Sequence, residues 1–300
     1  MANRSRNVQV DRNPVKRLLE TKQCPGGDLG EAYLAKLDLT EANLGGAKLL
    51  FANFNRSRLD RANFSGADLG FATFVNAYLK NADLSGIDAR GSQWFEANLS
   101  NVNLCGADLG YATLVNAQLD RANLSGARLD GANSIGVNLN QANLSGADLG
   151  GANLGDATLI DANLADVNLQ DARLVKADLR GANLRGANLQ DANLLSANLQ
   201  GADLTDAKLG GVNLAGANLE GTIGIERMSH LSQTQTSPEK SQTTQSPSSS
   251  VPESKPSRSR TSSLKTASPS LPVTSNLSHL GFPLPTGMED RPVFLRHRAG

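Results

Sequence analysis

Apolar residues recur every five positions along most of this chain. Between Leu29 and Leu219, 33 of the 39 positions taken in steps of five are Leu, and the residue two before is Ala in 30 of them. Asn or Asp usually stands between the two, as in Ala142-Asn143-Leu144. A period of five fits neither an amphipathic α-helix with 3.6 residues per turn nor a plain strand with alternating side chains.

The apolar spacings of two and then three predict a coil instead. A spacing of two puts Ala and Leu on the same side of a short extended segment. A spacing of three leaves room for a corner before the next segment. A chain that turns the same way at each corner keeps these side chains inside, and its successive turns stack as parallel ladders.

A longer period of 20 residues predicts four segments per turn and a square cross-section. Residues 67–86 match residues 107–126 at 14 of 20 positions. All 11 prolines lie outside residues 26–237, as expected where backbone N–H groups donate to a ladder. One corner is expected to need φ > 0, because a column of glycines recurs at this spacing: Gly46, Gly66, Gly86, Gly106, Gly126 and Gly146.

The A-(D/N)-L-x-x array of residues 27–221 resembles the pentapeptide-repeat family. The resemblance implies an all-β fold, a right-handed quadrilateral parallel β-helix. Residues 14–29 (PVKRLLETKQCPGGDL) also resemble the leader of cyanobacterial members of this family.

The segments on either side of the array lack the repeat. Residues 1–26 form a basic leader in which Asn13-Pro14 and the apolar Leu18 predict a short capping helix, stopped by Pro25-Gly26-Gly27. Residues 222–231 are a candidate C-terminal cap. Residues 232–300 are predicted to be a disordered tail, because 32 of the 44 residues from 232 to 275 are Ser, Thr, Pro or Gln.

The zero net charge of the 300-residue chain is a cancellation between segments. Residues 27–221 carry 14 basic and 22 acidic side chains, a net charge of −8, and each flank has a net charge of +4. The chain has no apolar stretch long enough for a spanning helix and no recognisable secretory signal. With only two cysteines, these features predict a cytoplasmic protein without membrane contact.

The array offers little for catalysis, so we predict a non-enzymatic protein without cofactor, metal or small-molecule substrate. It contains no His, and its Asp residues are expected on the solvated surface. Cys105 has no His partner, and Cys24 has no second metal ligand nearby. The glycines follow the repeat and form no nucleotide-binding motif.

Departures from the repeat are more informative than the repeat itself. Phe54, Phe74 and Trp94 are expected to stack in one inward column beside Ala89. Two outward columns on one face are apolar, and we predict that they form a partner-binding surface: Val75, Phe95, Val115 and Ile135 in one column, and Phe51, Phe71 and Tyr111 in the neighbouring one. Cover by another segment of the chain, or no role at all, are the alternatives.

Two functions follow as hypotheses. The first is a protein–protein interaction scaffold that binds a protein partner or itself, as a homodimer, through the apolar face. The alternative, implied by the resemblance, is a DNA mimic that binds a type II topoisomerase (gyrase). Arg and Lys interspersed along the array disfavour mimicry, and the basic ends lack the aromatic-interleaved patch typical of nucleic-acid binding.

Overall fold

The computed structural model describes residues 13–225, which begin with one short helix. Helix α1 spans Pro14–Thr21. The Asn13 side-chain oxygen accepts hydrogen bonds from the N–H groups of Val15 and Lys16, and Pro14 occupies the first turn, where its missing N–H costs nothing. Leu18 is fully buried at the entrance of the core. A short helix is therefore present where Asn13-Pro14 predicted one.

Helix α1 ends earlier than Pro25-Gly26-Gly27, where the sequence suggested a stop. Lys22 adopts a left-handed conformation with φ 58°, and its N–H donates to the Leu18 carbonyl. Gln23 already pairs with Asn43 of the next turn. The coil thus begins at residue 23, four residues before the boundary expected at residue 27.

Parallel bridges between residues 20 apart build the rest of the described chain. They run without a break in register from Gln23 paired with Asn43 to Asp203 paired with Ile223. The bridges form four ladders, so each turn of the coil has four sides. We number the sides by the pairs that open their ladders: side one by Asp28 and Lys48, side two by Tyr33 and Asn53, side three by Asp38 and Arg58, side four by Gln23 and Asn43.

In most five-residue units every backbone N–H group finds an acceptor, as residues 142–146 illustrate. The Ala142 N–H closes the preceding corner on the Leu139 carbonyl, and the N–H groups of Asn143, Leu144 and Gly146 donate to carbonyls of adjacent turns. The remaining N–H, of Ser145, donates to Oδ1 of Asn143 at 3.2 Å. In most units Asn or Asp before the Leu therefore supplies the acceptor that the ladder lacks.

All four corners, not only the one marked by the glycine column, use a residue with positive φ. The second corner position has φ between 54° and 69° in every unit from residue 26 to residue 221. Glycine fills 17 of these 40 positions, and side-chain-bearing residues fill the other 23. The geometry is that of a type II turn, in which the third of four residues has φ > 0.

The inward columns form one continuous apolar core. Ala and Leu of the repeat are at most 2% exposed from Leu39 to Leu204, as the 2–3 spacing predicted. In the inward aromatic column of side two, Phe54 stacks on Phe74 and Phe74 on Trp94, with ring centroids 4.9 and 4.0 Å apart. In the unit of residues 87–91, Ala89 replaces the usual Leu and Ile87 replaces the usual Ala, so the larger Ile87 makes up for the smaller Ala89.

Three serines replace apolar residues inside the coil. Ser57 and Ser92 donate their hydroxyls to the carbonyls of Phe54 and Ala89, and Ser92 also accepts the indole N–H of Trp94 at 2.6 Å. Ser134 replaces a Leu, is 2% exposed, and its hydroxyl has no partner within the described residues.

The last turn of the described chain is less covered than the others. Apolar side chains between Ala207 and Leu219 are only partly buried, because no further described turn covers them. Residues 226–231 of the expected cap, and the whole expected tail of residues 232–300, lie outside the described residues.

Candidate functional site

The structure places the seven predicted surface residues along the two edges of side two. Phe51, Phe71 and Tyr111 take the second corner position between sides one and two, and we call them the aromatic column. The aliphatic-rich column takes the first corner position between sides two and three: Val75, Phe95, Val115 and Ile135. Within each column, successive positions are related by the 20-residue ladder register.

The aromatic column is the more exposed of the two. Phe51, Phe71 and Tyr111 are 53%, 54% and 73% exposed. Phe95 and Ile135 are close to one-third exposed, and Val75 and Val115 are half-buried. After Tyr33, the outward bridge residues of side two lie between the columns and are polar, among them Thr73, Gln93 and Thr113. Side two is therefore a polar strip with two apolar edges.

Aromatic side chains of this column lean along the coil toward the next turn. Phe51 stacks on Phe71 with ring centroids 5.3 Å apart and an interplanar angle of 15°. The Phe71 ring in turn covers Gly91, where an added Cβ would lie 2.6 Å from it, and the Tyr111 ring covers Gly131 in the same way, at 2.7 Å. Glycine in the next turn leaves room for the rings of Phe71 and Tyr111.

We predict that Gly91→Ala costs more stability than Gly126→Ala. Both glycines have similar φ, 65° and 62°, so both variants incur the left-handed penalty of roughly 1–2 kcal/mol. Gly126 has open space around it, whereas Ala at residue 91 must also displace the Phe71 ring, at about 0.5–1.5 kcal/mol more. Chemical denaturation of the pair measures the difference. Equal losses would show that Phe71 does not rest on Gly91.

Side two carries apolar residues beyond those predicted from the sequence. Eight of the eleven exposed large hydrophobic residues of the described chain lie on it or at its two corners, and Tyr33, Leu50 and Leu195 are three that the sequence reasoning missed. Val175 also belongs to the aliphatic-rich column. The 20-residue spacing would have found Val175 and Leu195, because they continue the column of Ile135 after the interruption at Gly155.

The ion pairs of the described residues involve none of the bridge residues of side two. On side one and its corner with side two, Arg90 lies between Asp88 and Asp108, and Arg128 lies between Asp108 and Asp130. Hydrogen bonds from the Arg90 guanidinium lower the pKa of the Asp88 carboxyl, and Arg180 does the same to the pKa of Asp178 on side three. The pKa of the Asp38 carboxyl is lowered to about 2, chiefly because the carboxylate accepts a hydrogen bond from the backbone N–H of Thr40.

Both cysteines are free thiols. Cys105 is exposed on side four and accepts a hydrogen bond from the Ser125 hydroxyl. Cys24 is buried under helix α1, where the Arg17 guanidinium donates to its sulfur at 3.2 Å. Across residues 13–225 no group of His, Cys, Asp and Glu could hold a metal ion. Helix α1, with eight residues, is the one helix of this described part and is too short to span a bilayer.

The family model of pentapeptide repeats matches this chain from residue 28 to residue 223, with two short gaps. The chain therefore belongs to the pentapeptide-repeat family. Proteins of this family fold as right-handed quadrilateral β-helices, and the four-sided coil described above agrees with that architecture. A comparison with curated proteins finds no match.

Several solved structures resemble the chain, all of them pentapeptide-repeat or related proteins. HetL from Nostoc sp. strain PCC 7120, a protein involved in the regulation of heterocyst differentiation, is 30% identical over 71% of this chain and 95% of its own, with a TM-score of 0.44. A thylakoid-lumen protein from Arabidopsis thaliana is 34% identical over 33% of this chain and 66% of its own, with a TM-score of 0.27. QnrB1, a plasmid-mediated fluoroquinolone resistance protein, is 20% identical over 70% and 97%, with a TM-score of 0.43.

Proposed function

We propose that this protein is a non-enzymatic interaction protein that binds another protein chain through side two. The observation that carries the proposal is the uneven distribution of exposed apolar surface, most of which borders this side. An exposed apolar strip on a β structure is an aggregation hazard, and a contiguous patch of such residues usually marks a contact surface. The polar strip between the two columns offers hydrogen bonds that would position the partner.

Exposed aromatic anchors contribute most to protein interfaces, so the aromatic column is the place to test the proposal. The double variant Phe71→Lys with Tyr111→Lys should abolish binding, because two ammonium groups would have to be desolvated in the contact. Tyr78→Lys is the matched control, since Tyr78 is 52% exposed but lies on side three.

The measurement that detects the loss of binding depends on whether the partner is a second copy of this chain or another protein. If it is a second copy, sedimentation velocity at micromolar concentration should show dimers for the wild type and for Tyr78→Lys, and monomers for the double variant. If it is another protein, the wild type and the control should retain it and the double variant should not. A monomeric wild type with no partner that distinguishes the variants would contradict the proposal.

DNA mimicry is the competing hypothesis, and the charge distribution of the coil disfavours it. The carboxylates of side one are interleaved with Arg90 and Arg128, so this side does not present the uninterrupted negative charge of a phosphate backbone. Inhibition of gyrase supercoiling by the purified wild type, unaffected by the double variant at Phe71 and Tyr111, would favour mimicry instead.

A further inference from the structure

A shallow groove crosses the first turns of side two, next to the start of the aliphatic-rich column. Three successive turns line it: Tyr33, Ala35 and Lys36, then Asn53, Asn55 and Arg56, then Val75. The groove combines two cations, two amides and an aromatic ring, and no carboxylate is among its lining residues. This composition differs from that of side one, where cations and carboxylates alternate.

The two cations of the groove have no counter-charge of their own. Lys36 and Arg56 occupy the same corner column on successive turns and are both exposed. Neither side chain forms an ion pair or a hydrogen bond with any residue between 13 and 225. Arg61, one unit after Arg56, instead pairs with Glu41 at 2.7 Å. Because like charges on adjacent ladder positions repel each other, an anion between Lys36 and Arg56 would relieve a repulsion that the fold leaves in place.

The oxygen atoms of both amides that line the groove are already used as acceptors. Oδ1 of Asn53 accepts the Asn55 N–H at 2.9 Å, and Oδ1 of Asn55 accepts the Val75 N–H at 2.8 Å. With each oxygen engaged in supporting the backbone, the NH₂ groups of Asn53 and Asn55 remain as donors.

A backbone donor completes the set. In most units, Asn or Asp at the bridge position accepts the N–H two residues later, as Asn143 does for Ser145. Tyr33 holds the bridge position here and has no such acceptor. The N–H of Ala35 consequently has no partner in the described chain, although Ala35 is only 8% exposed. A buried N–H without an acceptor is costly, so a ligand oxygen would satisfy a group that this fold otherwise leaves unpaired.

We infer that this groove is an oxyanion site, suited to a phosphate group or a carboxylate. Charge-assisted hydrogen bonds from Lys36 and Arg56 would hold the anion, and the Ala35 N–H with the two amides would orient it. The site does not require the proposed function. If that function holds, Val75 links the groove to the aliphatic-rich column, and the partner would place an acidic or phosphorylated residue here.

The test is a titration of the full-length protein with inorganic phosphate, monitored by NMR. The signals to observe are the backbone amide of Ala35 and the side-chain NH₂ groups of Asn53 and Asn55. A second titration, with sodium acetate at equal ionic strength, tests a carboxylate as the ligand. A third, with sodium chloride, measures the shifts caused by ionic screening alone. We expect saturable shifts of these signals with phosphate, acetate or both, whichever source the groove accepts. Shifts no larger than those in chloride, for both anions, would overturn the inference.

Three variants separate a built site from general attraction to positive charge. Lys36→Ala and Arg56→Ala should each weaken binding about tenfold, the value of one charge-assisted hydrogen bond. Lys176→Ala is their control, because Lys176 stands in the same corner column, is exposed and lies outside the groove. A loss with Lys176→Ala equal to that with Arg56→Ala would refute the site.

Tyr33→Asn tests the backbone donor without changing any charge. Asn at this position would accept the Ala35 N–H as Asn143 accepts that of Ser145, so the Ala35 signal should stop responding and affinity should fall several-fold. Tyr33→Ala, which supplies no acceptor, should keep the Ala35 response. An unchanged Ala35 response in Tyr33→Asn would show that this N–H does not bind the anion.

Discussion

Replacing Leu144 with aspartate should destabilise the protein by more than about 4 kcal/mol. Leu144 has no exposed surface, and turns on both sides cover it with further leucines of the same column. An ionised carboxylate there would have neither water nor a hydrogen-bond donor, and a protonated one would still leave polar oxygens unpaired. Thermal unfolding followed by circular dichroism measures the loss.

The neighbouring residue provides the control for this substitution. Ser145 follows Leu144 at a corner and points outward, so Ser145→Asp should change the unfolding midpoint little. Hydrogen exchange should also show that the loss in Leu144→Asp is greatest in the turns next to residue 144, because each turn contacts only its neighbours. Equal stability of the two variants would contradict the inward assignment of the Leu columns.

Trp94→Ala should cost about 3–5 kcal/mol, the range for removing a buried aromatic side chain. The indole stacks on Phe74 with ring planes within 1° of parallel and donates its N–H to the Ser92 hydroxyl. Its removal would leave a cavity in the inward aromatic column and take a donor from Ser92. Guanidinium denaturation gives the change in the free energy of unfolding.

Phe95→Ala is the matched control for Trp94→Ala, since Phe95 is the next residue but is directed outward and is 37% exposed. Its loss should be well under half of that for Trp94. If the two variants lost the same stability, the inward aromatic column would not contribute as its packing indicates.

The sequence alone predicted the coil because the apolar period admits few geometries. Neither an α-helix, with 3.6 residues per turn, nor a strand, with a side-chain period of two, keeps every fifth residue on one face. The 20-residue period predicted four sides per turn, which the bridges confirm. The end of helix α1 and the start of the coil were harder to predict. Lys22 ends the helix by adopting a left-handed conformation, which is not typical of lysine. Positive φ at all corners was missed for the same reason, since only glycine signals it.

The groove at Tyr33 could not be predicted from residue types. Its character depends on which hydrogen-bond acceptors are already used, and this emerges only when Asn53, Asn55 and Val75 are placed on adjacent turns. Ser134, likewise, is an ordinary polar residue in the sequence, and only its burial without a partner makes it unusual.

The unbroken register of the ladders constrains how this protein can change in length during evolution. Deleting or duplicating 20 residues removes or adds one whole turn and leaves every later residue on its own side. An insertion of five residues preserves the inward Ala and Leu but moves all later positions by a quarter turn. Placed after residue 75, such an insertion would shift Phe95, Val115 and Ile135 from side two to side three and separate them from Phe51 and Phe71. Lineages that use side two should therefore differ by multiples of 20 residues within the coil, whereas lineages without that use should tolerate steps of five.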